Sequence, residues 1–143
     1  MVRFIEFSAN HPILVGITAM ALATAVFIEL QMRGRSGRSV APARAVMLIN
    51  QGATVVDVRQ KASFDDGHIV DAIHLEGSEL VAKADSQLKK KRAVILVCDS
   101  GTQSTRLVDG LRKAGYENSW SLEGGLAAWR RDNLPVIASR KGA

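Results

Sequence analysis

The sequence predicts an α/β domain, a small and mostly parallel sheet covered by helices on both faces, preceded by one N-terminal transmembrane helix. Three observations carry that reading. From Pro42 onward, short apolar or β-branched runs alternate with helical patterns, as in strands joined by crossover helices. The run Ala93-Val94-Ile95-Leu96-Val97 is unbroken by any polar residue, which fits the centre of a parallel sheet. The stretch Pro12–Ile28 holds seventeen residues without a charge, enough to approach the thickness of a bilayer. A length of 143 residues leaves room for one compact domain and an appendage, and excludes a two-domain enzyme.

After a short N-terminal segment (residues 1–11), the transmembrane helix is expected over 12–32, because Leu30 and Met32 extend the apolar run past Glu29. A helix needs about 20 residues to cross a hydrocarbon core of ~30 Å. The run is apolar on every face, so a domain of about 100 residues could hardly surround it as a core helix. A cleaved signal peptide carries its positive residues ahead of the apolar run. Here Arg3 is offset by Glu6, whereas Arg33, Arg35, Arg38 and Arg44 follow the run with no acidic residue until Asp57. Ala23-Thr24-Ala25 resembles a cleavage site but lies inside the run. The arginine asymmetry places the C-terminal domain in the cytoplasm. Residues 33–41, rich in Gly, Ser and Arg, read as a basic flexible linker beside anionic headgroups.

The remaining stretch, 42–143, forms the domain. Pro42 suits a first helical turn, Ala45, Val46, Leu48 and Ile49 give the helix an apolar stripe, and Gly52 ends it. Thr54–Val58 is a β-branched strand and Ala72–Leu75 a weaker one. Ser78 is positioned to cap a helix over about 79–88 with Leu80, Val81 and Ala84 inward. Lys89-Lys90-Lys91-Arg92 is a solvated turn before the strand at 93–97. A helix over 104–114 turns Leu107, Val108 and Leu111 inward and stops at Gly115. A strand over 118–122, the tight turn Glu123-Gly124-Gly125 and a helix over 126–131 complete the order.

Charge argues against a nucleic-acid surface. The chain is +5, but five arginines against two glutamates in residues 1–44 account for most of that, leaving the domain near neutral. No basic stripe interleaves with its few aromatic residues. A single cysteine excludes an internal disulfide and a Cys-rich zinc site. His68 and His74 do not have a ligand spacing, so no metal is expected.

That lone thiol occupies a telling position. Ligands of open parallel sheets bind beyond the carboxyl ends of strands, where the next helix offers N–H groups to an anion. Cys98 directly follows the central strand, and Asp99-Ser100-Gly101-Thr102-Gln103 separate it from the helix start at Ser104. Gly101 lets the backbone turn its amides toward the sulfur, an environment that favours a nucleophilic thiolate.

The same residues resemble the rhodanese, or sulfurtransferase, domain family across about residues 42–137. Asp57-Val58-Arg59, then Phe64-Asp65-Asp66-Gly67-His68-Ile69 and Ala72-Ile73-His74-Leu75, are similar to the family's D-x-R…F/Y-x-x-G-H-I-x-G-A-I pattern. Cys98-Asp99-Ser100-Gly101, the Gly115-Tyr116 turn and Leu122-Glu123-Gly124-Gly125-Leu126-Ala127-Ala128-Trp129 match its second half. The apolar N-terminal segment resembles that of membrane-anchored single-domain rhodaneses of bacteria, which implies a single-pass protein of the inner membrane. Asp71 stands where the family has glycine and Ser63 where it has an acidic residue.

The resemblance implies a rhodanese-like fold and a sulfurtransferase of the thiosulfate type. The Cys98 thiolate would take sulfur from a small donor, hold it as a persulfide and pass it to a thiol or protein acceptor, with no metal or organic cofactor. The loop Asp99, Ser100, Gly101, Thr102, Gln103 and Ser104 would bind the donor, supported by Asp57, Arg59, His68 and Arg106. The family's loop commonly closes with arginine where this chain has Gln103, and Asp99 adds a carboxylate. Both changes disfavour a dianion, so activity toward thiosulfate is expected to be weak or selective. A catalytically inactive module that recruits a partner to the membrane is the open alternative. A Cys-dependent phosphatase is disfavoured, because residue 104 is Ser where a C-x5-R loop needs a guanidinium.

Overall fold

The computed structural model describes residues 12–139, so the segment 1–11 and residues 140–143 lie outside it. The chain divides into two units, residues 1–37 and 38–143. In the first, α1 (Pro12–Ser36) is a helix of 25 residues, about 37 Å long at 1.5 Å per residue. Over Pro12–Glu29 it is long and apolar enough to cross a membrane, and none of that stretch is buried within the protein. The hydroxyls of Thr18 and Thr24 are satisfied internally. Thr18 Oγ1 donates to the Leu14 carbonyl at 2.9 Å and Thr24 Oγ1 to the Met20 carbonyl at 2.8 Å, leaving neither seeking water.

The second unit is built on a five-stranded parallel sheet. Its elements are β1 (Ser39–Val40), α2 (Pro42–Asn50), β2 (Thr54–Asp57), α3 (Lys61–Asp66), β3 (His68–Ile69), β4 (Ile73–His74), α4 (Leu80–Gln87), β5 (Val94–Val97), α5 (Thr102–Lys113), β6 (Ser119–Leu122), α6 (Gly125–Arg131) and β7 (Val136–Ile137). The strand order is β1-β6-β5-β2-β4, with β3 and β7 forming a separate antiparallel pair. β5 is central, in register with β2 through Val56 opposite Leu96 and with β6 through Leu96 opposite Ser121.

Alternation along β5 divides the core. Val94, Leu96 and Cys98 point to the face covered by α4 and α5, among Leu80, Ala84, Val108, Leu111 and Tyr116. Ile95 and Val97 point to the opposite face, among Ala45, Leu122, Leu126 and Trp129. This two-sided burial is why the run reads as continuously apolar, and truncating one such side chain costs about 2–5 kcal/mol. The same period of two turns the Cys98 side chain toward α5.

Several local expectations change. α1 continues to Ser36 and Ser39–Val40 join β6 as an edge strand, within the stretch read as a linker. Glu123 N–H donates to the Val40 carbonyl and Arg38 bridges Asp109 at 2.8 Å, so backbone pairing and an ion pair order residues whose composition looked like a tether. Ser78 does not cap α4. The N-cap position is Glu79, without a side-chain cap bond, because Glu76 and Glu79 close a backbone turn one residue later. Val81 is 49% exposed, since α4 turns only Leu80 and Ala84 inward. α5 starts two residues before Ser104, because Gly101 in the left-handed region (φ 85°) turns the chain directly into helix. Asp71, at the family's glycine, has φ 59°, the left-handed conformation that favours glycine.

Candidate active site

Cys98 directly follows β5, and its Sγ accepts N–H bonds from Gly101 at 3.1 Å and Ser104 at 3.4 Å. The Ser104 amide is free to do so because the first four N–H groups of a helix have no intrahelical acceptor. Gly101 is required twice over. Its positive φ strains any other residue, and a Cβ there would lie 2.9 Å from the Leu122 carbonyl oxygen.

A second helix start holds the loop from behind. Leu126 N–H donates to the Cys98 carbonyl at 2.8 Å and Ala127 N–H to the Asp99 carbonyl at 3.0 Å. Gly124 and Gly125 adopt positive φ, and a Cβ on Gly125 would overlap the Cys98 carbonyl oxygen. Gly125 is thereby explained by close packing against the cysteine loop, whereas a Cβ on Gly124 would lie 2.6 Å from Ala128 Cβ.

Arg59 is 6% exposed and Asp57 1% exposed. The guanidinium grips Asp57 through Nε to Oδ1 (2.9 Å) and Nη2 to Oδ2 (2.7 Å), while Nη2 also donates to the Gly67 carbonyl (2.7 Å) and Nη1 to Asp99 Oδ1 (3.2 Å). The hydrogen bonds to Asp57, opposed by burial and reinforced by the Asp57 and Asp99 charges, hold Arg59 above its ordinary value. It therefore stays charged and serves as a bracket among β2, the turn at Gly67 and the cysteine loop. Nearby, His68 is buried, stacks on Phe64 at 3.8 Å and donates Nδ1–H to the Phe64 carbonyl at 2.8 Å. His74 Nε2–H donates to the Arg59 carbonyl at 2.8 Å. A carbonyl can only accept, so each proton position is fixed by its partner. Among the described residues no group of three His, Cys, Asp or Glu side chains could hold a metal ion.

A cavity of about 350 Å³ opens over the loop, lined by Cys98, Asp99, Ser100, Thr102, Gln103, Arg106 and Leu107. Cys98 is only 3% exposed, so its sulfur meets the outside through this cavity. Arg106 is the one basic side chain lining it. The Gln103 amide lies against the Glu76-Gly77 turn, its Nε2 3.0 Å from where a Gly77 Cβ would stand. Ser100 Oγ donates to Thr102 Oγ1 at 3.2 Å, and Ser104 is fully buried beside the sulfur. Asp57, Arg59, Cys98 and the loop residues thus converge on one place, Arg106 lines the cavity, and His68 packs on Phe64 and does not line it.

Sequence reasoning missed Leu107, Thr105 and Ser121. Ser119 and Ser121 are fully buried while the intervening Trp120 is half-buried. The available signal was the strand period, which puts two serines on one face of Ser119–Leu122.

The parallel sheet flanked by helices, with its cysteine-containing strand-to-helix loop, is the architecture of a rhodanese-like fold. The rhodanese-like domain family matches residues 41–132, and the chain belongs to that family. It is 34% identical over 144 residues to the uncharacterized protein YibN of Escherichia coli strain K12, covering 98% of this chain and 100% of that one. It is 33% identical over 97 residues to the thiosulfate sulfurtransferase GlpE of Vibrio cholerae, covering 68% of this chain and 91% of the relative. Among solved structures, the Alr3790 protein from Anabaena superposes with a TM-score of 0.64 at 31% identity, over 69% of this chain and 91% of that one.

Proposed function

We propose that this protein is a membrane-tethered sulfurtransferase that carries sulfane sulfur as a Cys98 persulfide, with low or selective activity toward thiosulfate. The observation that carries the reading is the pair of backbone N–H groups aimed at Cys98 Sγ from Gly101 and Ser104. Fixed dipoles facing an atom that bears charge stabilise it without reorganising during reaction. The thiolate attacks the outer sulfur of the donor, the new S–S bond forms, and the donor remainder (sulfite, for thiosulfate) leaves with the electron pair of the broken bond. An acceptor thiolate then attacks the outer sulfur and the electron pair returns to Cys98.

Donor selectivity follows from where the positive charge is spent. Arg59 is engaged by Asp57, Gly67 and Asp99, Gln103 is neutral, and Arg106 alone offers a cation to the cavity. A dianion gains little there, whereas an organic persulfide asks for less charge. Kinship with proteins named thiosulfate sulfurtransferase supports the reaction class. α1 would anchor the domain, and Arg33, Arg35 and Arg38 would hold it on the cytoplasmic side of a bacterial inner membrane.

The test uses the full chain in detergent, incubated separately with thiosulfate and with a persulfide donor, followed by mass spectrometry of the Cys98 peptide. Gain of one sulfur atom, faster with the persulfide, is expected. No gain with either donor would leave a partner-recruiting module as the better account. Orientation has its own test. A reporter active only outside the cytoplasm, fused after Ala143, should stay silent, and a strong signal would reverse the compartment.

A further inference from the structure

Besides the two backbone amides, Cys98 Sγ touches a chain of three hydroxyls that the transfer steps do not use. Ser104 Oγ lies 3.3 Å from Sγ and 2.7 Å from Ser121 Oγ. Thr105 Oγ1 lies 3.1 Å from Ser121 Oγ and donates to the Gly101 carbonyl at 2.7 Å. The same carbonyl is 3.2 Å from Ser104 Oγ and 3.4 Å from Ser121 Oγ. Ser104 and Ser121 have no exposed surface, so their hydrogen bonds must be made within the protein.

Counting protons limits what this chain can do. Each hydroxyl has one proton to give, and the Gly101 carbonyl can only accept. Thr105 makes the shortest contact with that carbonyl and donates there. In the 2.7 Å contact between Ser104 and Ser121, only one of them can be the donor. When Ser121 donates, the Ser104 proton is released toward Cys98 Sγ, an arrangement suited to a thiolate. When Ser104 donates, Ser121 turns its proton to the Gly101 carbonyl, and Ser104 presents a lone pair to the sulfur, an arrangement suited to a thiol.

We propose that Ser104, directed by Ser121 and Thr105, is a reversible partner of Cys98, donating to the sulfur when it is ionised and accepting from it when it is protonated. Ser104 is thus a positioning residue that favours charge on Sγ itself. This rests on the sulfurtransferase reading. No proton passes along the chain. The hydroxyls rotate about their C–O bonds, and the thiol proton leaves to water in the cavity.

The consequence differs between the two half-reactions. In the loaded enzyme the negative charge is on the outer sulfur and Sγ is neutral. When an acceptor thiolate attacks the outer sulfur, the acceptor–sulfur bond forms, the bond to Cys98 breaks, and its electron pair returns to Sγ. Charge then develops at the atom 3.3 Å from the Ser104 hydroxyl, and stabilising it makes Cys98 a better leaving group. Loading, which draws charge off Sγ, gains nothing from the same bond.

The test compares the full wild-type chain with Ser104→Ala and Ser121→Ala. Thiolate absorbance is titrated against pH, and loading and discharge are followed separately with a persulfide donor and a small thiol acceptor. Thermal melts check that each variant is folded. For Ser104→Ala the titration should move up by about one pH unit and discharge should slow by about tenfold, as loss of a hydrogen bond to a charged group requires. Loading at high pH should change by less than about threefold. Ser121→Ala, which removes only the directing oxygen, should fall between Ser104→Ala and wild type. A folded Ser104→Ala chain whose titration and discharge coincide with wild type overturns the proposal, while wild-type loading in that experiment would leave the transfer function standing. A shifted titration in a chain that never loads would instead retain the hydrogen-bond partner and remove the proposed function.

Discussion

Two neighbouring regions handle charge in opposite ways. Around Cys98 Sγ the positive end is supplied by backbone N–H groups from Gly101 and Ser104, partial charges fixed in direction and without a counter-ion. One strand away, Arg59 supplies a full charge but is enclosed by the Asp57 carboxylate, the Gly67 carbonyl and Asp99. A buried guanidinium must be surrounded in this way, since an ion removed from water needs both an opposite charge and satisfied donors. The amides cost less to bury because each replaces only one hydrogen bond to water. Arg59 is therefore a structural brace, and the amide cradle is the part turned toward the sulfur.

The largest effect should come from breaking the brace. Arg59→Ala leaves Asp57, 1% exposed, without its ionic partner and should cost about 3–5 kcal/mol, read as a fall in the midpoint of denaturant unfolding. Arg59→Lys should recover only part of this, because one ammonium cannot span the Asp57, Gly67 and Asp99 contacts together. An unchanged midpoint in Arg59→Ala would mean that the pair behaves as a surface ion pair and that the contrast with the cradle is empty.

Breaking the cradle should cost less stability and more chemistry. In Gly125→Ala the new Cβ overlaps the Cys98 carbonyl and also lies 2.6 Å from Asp99 C, while φ there is 59°. The loop must shift, at about 1–3 kcal/mol. Persulfide loading at Cys98, measured by mass spectrometry, should fall by at least about tenfold, since an amide displaced by an ångström no longer faces the sulfur. Gly110→Ala is the control, because the nearest atom to a Cβ there is Val81 Cγ2 at 3.6 Å. It should leave loading unaltered.

The same contrast explains what could be read in the sequence. The cradle is a local object. A cysteine after an apolar run, a glycine three residues on and a helix beyond lie within a dozen positions, and their spacing implies inward amides. The brace is only half local. Asp57 and Arg59 are two residues apart, but Gly67 and Asp99 join them through the fold, so the pattern indicated support for the loop without its depth of burial. The hydroxyl chain was hidden apart from the strand period that sets Ser119 and Ser121 on one face, because Ser121 reaches Ser104 through the parallel register that sets it opposite Leu96. Among the elements, β5 and β2 have continuous apolar or β-branched runs and α5 a helical period, each long enough to read. β1, β3 and β7 are two residues each, too short to carry one, and in α3, Lys61–Asp66, Phe64 is the buried apolar anchor.

A third change adds to the cavity the kind of charge that the brace withholds. Gln103 is exposed beside Cys98, and Gln103→Arg places a guanidinium there without disturbing a buried contact. Its gain is limited by solvent screening to about 1 kcal/mol or less. The expected outcome is a fall of roughly fivefold in KM for thiosulfate with kcat nearly constant, and little change for a neutral persulfide donor. Equal improvement with both donors would point to a shape effect and not to charge.

The smallest effect belongs to the residue shared by the two regions. Asp99 lines the cavity and also accepts from Arg59 Nη1 at 3.2 Å, but its side chain is 76% exposed. Water already screens that contact, so Asp99→Asn should change stability by under about 1 kcal/mol, in contrast to Arg59→Ala. Its electrostatic influence on an incoming anion should still be measurable, as roughly a twofold rise in thiosulfate loading at low ionic strength that disappears in high salt. A salt-independent rise would locate the effect in loop geometry. No rise at any ionic strength would mean that Arg59 already neutralises the carboxylate, making Asp99 part of the brace alone.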